Sequence, residues 1–406
     1  MGYVNMENSF FLVEIAIILL TTKLLGILTK KIHMPQVVGA LLAGLILGPA
    51  VLGVMTKTEF IGELSTLGVI VLMFIAGLET DIQELKSCGK ASFVIALIGV
   101  LVPLAAGFLL TMFFNNGGSP TDLDKVHILE NVFIGIILTA TSVSITVETL
   151  RELKRLNSRA GSAIVGAAII DDVLGIIGLT IITSMADTSV SIGIVLIKIV
   201  LFFVLAAIIG VLLYKLFDKW IKKYQRGKKR MVIMSFVICL LFSYSAEHFF
   251  GVADITGAFI AGLIISCTYR AGYISYAFET LSYMLLAPVF FASIGLEVVL
   301  PEMSTSIIIF TILLVIIAII TKMVGCGFGA KICGFTNQES LQIGTGMISR
   351  GEVALIVANK GIAVGLMNSM FLGPVIITVV ATSIVTPILL KLVFRDKPEE
   401  PNQVSA

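Results

Sequence analysis

The chain has 406 residues, of which 57% are hydrophobic and only 13% charged, with a formal net charge of +2. Its mean hydropathy of +1.06 excludes a soluble globular protein, because one core cannot hide so much apolar surface. The small net charge gives no reason to expect a nucleic-acid partner.

Apolar runs repeat from end to end of the chain, and a helix needs ~20 such residues to cross a bilayer. A helix-length window predicts an all-α polytopic membrane protein with thirteen transmembrane spans. The first run begins near Phe10 and is interpreted as a span, because no small-residue cleavage site follows it. The predicted spans cover residues 8–29, 35–54, 62–78, 91–114, 128–149, 160–184, 190–214, 231–249, 254–269, 276–298, 303–328, 339–359 and 366–393.

The loops between the spans predict the orientation, because Lys and Arg collect on the cytoplasmic side. Loops after odd-numbered spans are rich in basic residues, with a block at 215–230, whereas the alternate loops hold only Lys57, Lys125 and Lys360. This asymmetry predicts a multi-pass protein of the cell inner (plasma) membrane, with its N-terminus outside and its C-terminus in the cytoplasm. The basic block is either a cytoplasmic connector or a contact with anionic membrane lipids.

Two motifs recur at one offset and indicate an internal repeat. GALLAGLIL at 39–47 returns as GAFIAGLII at 257–265, and AGLE at 76–79 returns as IGLE at 294–297, in both cases 218 residues later. The copies lie seven spans apart, and an odd separation gives them opposite orientations in the membrane. Inverted repeats are typical of alternating-access carriers with a site near the membrane midplane. Spans 1–6 and 8–13 are therefore predicted to be the two halves, although a channel can share the repeat.

A few ionisable residues lie deep in apolar sequence, where an unpaired charge costs several kcal/mol. Asp171 and Asp172 lie about a dozen residues into span 6, and Lys322 lies at a similar depth in span 11. Adjacent helical residues point about 100° apart, so one carboxylate can face a cavity while the other pairs with a cation. Lys322 is either a structural salt bridge or a second proton carrier. The alternative is a static network of salt bridges.

Spans 5 and 12 contain the polar segments LTATSVS and GTGMISRGE at membrane depth. Helices can unwind there if the freed backbone lines a cavity, which would offer carbonyl oxygens and the hydroxyls of Thr141 and Ser142 to a small cation. Arg350 and Glu352 are predicted to compensate the dipoles of the resulting half-helices. Ordinary helix with Ser and Thr bonded to their own backbone is the alternative.

On these motifs the chain resembles the monovalent cation:proton antiporter-2 family, in particular its sodium/proton antiporters with paired aspartates. The resemblance covers almost the whole chain and rests on TATS at 139–142, the Asp171-Asp172 pair, the Lys322 segment and GMISRGEVAL at 346–355. It implies the sodium/proton antiporter fold, with two inverted repeats of six helices whose broken helices, spans 5 and 12, cross near the site. It also implies that Asp172 is the main carboxylate for Na⁺ and protons, that Asp171 assists it, and that Asp171 pairs with Lys322.

The resemblance further implies a homodimer, in which each protomer has a dimerisation domain and a mobile core domain. Cytoplasmic Na⁺, or Li⁺, would exchange for external H⁺ by an elevator-like movement, electrogenically, with more protons than sodium ions per cycle. The predicted parts are residues 1–90 (dimerisation, spans 1–3), 91–186 (core, spans 4–6), 187–230 (linker helix and cytoplasmic loop), 231–300 (dimerisation, spans 8–10), 301–396 (core, spans 11–13) and 397–406 (cytoplasmic tail).

Three other functions stay open. A K⁺/H⁺ antiporter keeps the same residues, an organic-anion carrier needs more exposed cationic side chains, and a channel or membrane sensor is a different class. Enzymatic activity has no support, and the five cysteines lack the spacing of a metal or disulfide framework, so no cofactor is predicted. The predicted partners are Na⁺, H⁺, a second copy of the chain and membrane lipids. The sequence does not decide among Na⁺, K⁺ and Li⁺.

Overall fold

The computed structural model describes residues 10–31, 34–115, 125–186, 192–223, 228–298, 304–363 and 365–395. Within these ranges the regular structure is helical and no β-strand occurs. The predicted all-α class is therefore confirmed for the described part of the chain.

The described helices of the first half follow the predicted spans 1–6, and a further helix leads to the second half. They are α1 (Phe10–Lys31), α2 (Gln36–Leu47), α3 (Glu59–Glu79), α4 (Ile82–Asn115), α5 (Lys125–Ile137), α6 (Val143–Glu152), α7 (Arg159–Ala186) and α8 (Ile192–Lys223).

The described helices of the second half follow the predicted spans 8–13. They are α9 (Lys228–Phe250), α10 (Asp254–Ser266), α11 (Ala271–Leu281), α12 (Ala287–Leu296), α13 (Thr305–Ile332), α14 (Asn337–Gly346), α15 (Glu352–Ala363) and α16 (Leu372–Val393). A π-helical turn, Ser282–Leu286, joins α11 to α12, and a 3₁₀ turn, Ser369–Phe371, precedes α16.

Each predicted span coincides with one helix, with a continuous run of helices or with a broken pair. Among the described residues, nine helices are long and apolar enough to cross a membrane, so the chain is a multi-pass membrane protein. The apolar helices α2 and α10 are shorter, with 12 and 13 residues. The number of thirteen crossings therefore stays a prediction.

The turn between α13 and α14 shows how local sequence fixes the ends of the helices. Gly334 follows α13 with a φ of +81°, a conformation that glycine adopts without steric cost. The hydroxyl of Thr336 then accepts the amide of Glu339 at 3.2 Å, and the Glu339 carboxylate accepts the amide of Thr336 at 2.8 Å. This capping box satisfies amides at the start of α14 and turns the chain back along α13.

The helices pack in two groups, each with members from both halves. The first group contains α1–α3 and α9–α12, with α3 against α10 and α2 against α12. The second group contains α4–α7 and α13–α16, with α4 against α7 and α13, and α13 against α14 and α16. Contacts between the groups include α3 with α6 and α2 with α16. The paired aspartates of α7 lie in the second group.

Glycines of the repeated motifs bring helices of the first group into backbone contact. A Cβ on Gly44 of α2 would lie 1.9 Å from a carbonyl oxygen of α12, and one on Gly295 of α12 would lie 2.3 Å from a backbone nitrogen of α2. The offset of 218 residues carries this pair onto Gly262 of α10 and Gly77 of α3. There each added Cβ would lie 2.2 Å from a carbonyl oxygen of the facing helix. The two halves thus make equivalent, exchanged contacts, as an inverted repeat requires.

Candidate functional site

The paired aspartates lie side by side on α7, inside the second helix group. Asp171 is 2% exposed and Asp172 is 9% exposed. Lys322 of α13 is fully buried, and its Nζ lies 2.7 Å from Oδ1 of Asp171. Removing one partner of such a buried pair would leave an uncompensated charge in an apolar environment. The structure therefore joins Lys322 to Asp171 and leaves Asp172 at the more exposed of the two positions.

A glycine on α4 makes room for this ion pair. A Cβ on Gly99 would lie 2.4 Å from Sγ of Cys326 and 3.8 Å from Nζ of Lys322. Cys326 is buried one helical turn after Lys322 on α13. Because Gly99 has no side chain, α4 and α13 approach closely beside the buried lysine.

Two predicted spans are interrupted close to their middle. The first break, residues 138–142, separates α5 from α6, and the second break, residues 347–351, separates α14 from α15. The breaks cross: the amide of Ser142 donates to the carbonyl of Ser349, and the hydroxyl of Ser349 donates to the carbonyl of Ser142, each at 2.8 Å. Non-helical backbone is tolerated at membrane depth only where protein or a cavity surrounds it. The predicted crossing of broken spans 5 and 12 is confirmed.

Arg350 lies in the second break and is 1% exposed. Its guanidinium donates to the carbonyl oxygen of Leu138 at 2.6 Å and also to that of Ile348. These carbonyls follow the ends of α5 and α14, where a half-helix has unpaired acceptors and partial negative charge. The structure thus places the positively charged guanidinium of Arg350 at the C-terminal ends of two half-helices. Glu352 is the first residue of α15, and its side chain lies outside the described residues.

The hydroxyls of the first break have unused hydrogen-bonding capacity. Thr141 and Ser142 are both buried, and within the described part of the chain their hydroxyls find no hydrogen bond of good geometry. The Thr141 hydroxyl faces the carboxylate of Asp171, and Oδ2 of that carboxylate likewise has no partner among the described residues. Buried polar atoms are normally paired, so oxygens left in this state at one place fit a small cation or water.

Three hydroxyl residues at the breaks were not predicted from the sequence. Thr146 of α6 donates to the carbonyl of Gly346 at 2.7 Å and lies 3.0 Å from the hydroxyl of Ser349. Thr382 and Ser383 of α16 both contact the backbone of Arg350. A run of Thr at four-residue spacing on α16 was the available signal, but ordinary buried helices show the same pattern.

The chemistry of the site is that of oxygen ligands around one ion pair. No group of three or more His, Cys, Asp or Glu side chains converges on a metal position within the ranges that the structure describes. A cation at the aspartate pair would have two carboxylates at most, completed by neutral hydroxyl and carbonyl oxygens. Such hard oxygen ligands suit small alkali ions and protons better than transition metals.

A cavity of about 710 Å³ lies apart from the aspartates, between α1, α2, α3, α6 and α12. It is lined by Glu79, Glu148 and Arg151 among others, and Asp171 and Asp172 are not part of its lining. Arg151 of α6 bonds Glu79 of α3 at 2.7 Å and Glu148 at 3.0 Å. This ion pair joins the first helix group to the second at the end of the bundle that carries the basic loops.

Buried carboxylates beside two crossing helix breaks, in a bundle of inverted repeats, define an ion-transporting membrane protein. The family model for transmembrane sodium/hydrogen exchangers matches residues 16–395, so the chain belongs to this family of transporters. The predicted kinship is confirmed at that level.

The chain is similar to several relatives that are named cation/proton antiporters. The chain is 39% identical to the Na⁺/H⁺-K⁺ antiporter GerN of Bacillus cereus, over 97% of this chain and 98% of the relative. It is 35% identical to the Na⁺/H⁺ antiporter of Enterococcus hirae, over 94% and 97% of the two chains. The structure of the sodium proton antiporter MjNhaP1 from Methanocaldococcus jannaschii at pH 8 matches with a TM-score of 0.70 at 20% identity, covering 95% of this chain and 97% of that one. The predicted fold of sodium/proton antiporters is confirmed by this match.

Proposed function

We propose that the protein exchanges cytoplasmic Na⁺ for external H⁺ as a secondary active antiporter of the inner membrane. The observation that carries this proposal is the aspartate pair on α7, where the hydroxyl of Thr141 in the first break faces Asp171. Membership of the exchanger family and the names of two relatives, an antiporter of Na⁺ and H⁺ in each case, support the choice of ions.

Asp172 is the carboxylate that we assign to the transported ions. The charge of Asp171 is paired with Lys322 at 2.7 Å, whereas Asp172 is the more exposed member of the pair. A cation that enters from the cytoplasm displaces the proton of Asp172, with Asp171, Thr141 and Ser142 as further oxygen ligands. After release outside, external protons bind again. An empty, charged site crosses the membrane poorly because desolvation opposes it, and this couples the two fluxes.

Alternating access in this proposal is a movement of one helix group against the other. The first group, held by glycine backbone contacts, is the dimerisation domain and pairs with a second copy of the chain. The second group is the core domain, which moves like an elevator with its site. The ion pair of Arg151 with Glu79 joins the groups and has to open during that movement. The basic loops favour a cytoplasmic C-terminus.

K⁺ is the second candidate cation, because GerN, at 39% identity, is named an antiporter of Na⁺, H⁺ and K⁺. The oxygen ligands that we assign to Na⁺ are not selective by chemistry alone, since both are hard monovalent ions. Lys322 as a second proton carrier would make the exchange electrogenic, with more protons than sodium ions per cycle.

The test uses purified protein in liposomes that contain a pH-sensitive dye and carry an imposed proton gradient. We expect Na⁺ to drive proton movement in the native protein and none in Asp172→Asn, because an amide cannot exchange a proton for a cation. Asp254→Asn, the same change at the start of α10 in the first group, is the matched control and keeps the exchange. An imposed membrane potential that accelerates the native exchange would support electrogenicity.

The outcomes separate the alternatives. Proton movement with K⁺ but not Na⁺ would keep the mechanism and change the substrate. Full exchange by a folded Asp172→Asn protein, checked by its elution as a single species in detergent, would overturn the assignment of Asp172. No proton movement with Na⁺, Li⁺ or K⁺ would leave an organic-ion carrier or a membrane sensor.

A further inference from the structure

The last helix carries a row of buried hydroxyls that the proposed ion site does not use. Thr378, Thr382 and Thr386 recur every four residues on α16, and each donates to the carbonyl four residues earlier, at 2.7–2.8 Å. This is the usual behaviour of threonine in an apolar helix. Because their donors are used within α16, these hydroxyls have only their lone pairs to offer to other helices.

Thr382 differs from its two neighbours in the row. Its Oγ1 also accepts the backbone amide of Arg350 at 3.2 Å, and the hydroxyl of the next residue, Ser383, donates to the backbone carbonyl of Arg350 at 2.7 Å. Both polar backbone groups of one non-helical residue are thus paired with two adjacent side chains of α16. All three residues are buried, so no bulk water replaces these bonds.

The backbone position of Arg350 decides where its guanidinium lies. That guanidinium donates to Leu138 of the first break at 2.6 Å, and Leu138 is three residues before Thr141. A shift of the Arg350 backbone therefore moves the support of the first break, where the hydroxyl of Thr141 faces the carboxylate of Asp171. Ligand oxygens have to be held within a fraction of an ångström for selective binding.

We infer that Thr382 and Ser383 of α16 are positioning residues, which fix Arg350 across both helix breaks and thereby set the affinity of the aspartate site for its cation. This inference rests on the proposed antiport. The pair touches no transported ion and acts only through Arg350. Because α16 packs on α13 and α14, the pair belongs to the same helix group as the site.

The transport experiment compares Thr382→Val with Thr386→Val in liposomes. Both threonines are fully buried on α16, and both bond the carbonyl four residues earlier. We expect Thr382→Val to raise the apparent KM for Na⁺ about fivefold, as for one lost hydrogen bond, with the maximal rate little changed. Thr386→Val is expected to keep the native KM. Ser383→Ala should raise the KM for Na⁺ as Thr382→Val does. Thr382→Ser and Ser383→Thr keep a hydroxyl at these positions and should keep the native KM.

A second measurement does not depend on transport. Hydrogen–deuterium exchange of a peptide that contains residue 350 reports the Arg350 amide, which Thr382 accepts and Ser383 does not. We expect faster exchange at that amide in Thr382→Val than in Ser383→Ala and Thr386→Val, because only the first variant removes the acceptor.

The two measurements distinguish the possible failures. If the native protein moves no protons with any cation, the proposed antiport fails. Hydrogen–deuterium exchange at the Arg350 amide then decides alone whether Thr382 and Ser383 position this residue. Equal KM values for Thr382→Val and Thr386→Val would overturn the inference, as would equal exchange rates at the Arg350 amide. A loss of maximal rate with unchanged KM in both threonine variants would show a purely structural role.

Discussion

The two helix breaks occupy equivalent places in the two halves, yet their polar groups are used differently. In the first break the hydroxyl of Ser142 has no hydrogen-bond partner among the described residues, and the hydroxyl of Thr141 faces the carboxylate of Asp171. In the second break the hydroxyl of Ser349 is bonded to Ser142, and the backbone of Arg350 is held from α16. One break has oxygens available for a ligand, and the other has its oxygens engaged in holding the crossing together.

This difference indicates how two related halves can form one asymmetric site, in which one half offers ligand oxygens and the other half supports them. A small cation needs several oxygens that no protein donor occupies, and those oxygens need rigid support from neighbours that are fully bonded. If both breaks had free hydroxyls, the crossing would lack support. If both were saturated, a cation would find no ligand. Division of the two roles between the repeats meets both requirements.

Removal of the Arg350 guanidinium is the strongest way to break this comparison. Arg350→Gln would leave the carbonyls of Leu138 and Ile348 without a cationic donor, and hydrogen bonds to charged groups contribute about 1.5–3 kcal/mol each. We expect exchange to fall about 100-fold or more, and Arg350→Lys, which keeps the charge but not the planar fork, to recover part of it. Sodium-driven proton flux in liposomes measures both. Native activity in Arg350→Gln would show that the second break needs no such support.

Loss of the free hydroxyls should act on affinity and leave folding intact. Thr141→Val and Ser142→Ala each remove one expected ligand oxygen, so we expect the apparent KM for Na⁺ to rise about tenfold, which corresponds to about 1.4 kcal/mol. The thermal stability of Ser142→Ala should stay equal or rise, because a buried hydroxyl without a hydrogen-bond partner costs free energy. Thr149→Val is the control, since that hydroxyl donates to Ile145 within α6 at 2.7 Å. An unchanged KM together with lower stability would contradict the division of roles.

The smallest effect is expected at the contact between the halves. Thr146→Val removes the hydrogen bond of 2.7 Å from α6 to the carbonyl of Gly346 at the end of α14. We expect a loss of about 1 kcal/mol in the free energy of unfolding, seen as a lower melting temperature in detergent, with the KM for Na⁺ nearly unchanged. A tenfold change in KM would instead place Thr146 among the ligand residues.

The fold could be predicted from the sequence because the features that indicate it lie along the chain itself. Apolar runs locate the helices. The polar segments around Thr141 and Arg350 indicated where spans 5 and 12 are interrupted, because polar residues at membrane depth cost free energy and are rare in ordinary spans. The depth of Asp171 and Lys322 predicted that both lie near the midplane. The roles of these residues in transport, like the count of thirteen crossings, stay predictions.

The supporting residues could not be predicted from the same signals. Thr382 resembles Thr378 and Thr386 in sequence, and only the approach of the second break to α16 distinguishes it. Gly99 is one of 37 glycines, and its closeness to Lys322 depends on how α4 packs against α13. Such differences arise from tertiary contacts, which local composition does not encode.

The exchanged glycine contacts have a consequence for how the chain is made. About 250 residues separate Gly44 from Gly295, and at ~5–20 residues per second a ribosome needs roughly 12–50 s to add them. For most of that interval α2 and α3 are already synthesised, whereas α10 and α12, which cover their glycine faces, are still to be added. Neither half of the protein can complete the first helix group alone. The contact of α12 with α2 therefore forms only after α9–α12, the first part of the second half, have been synthesised.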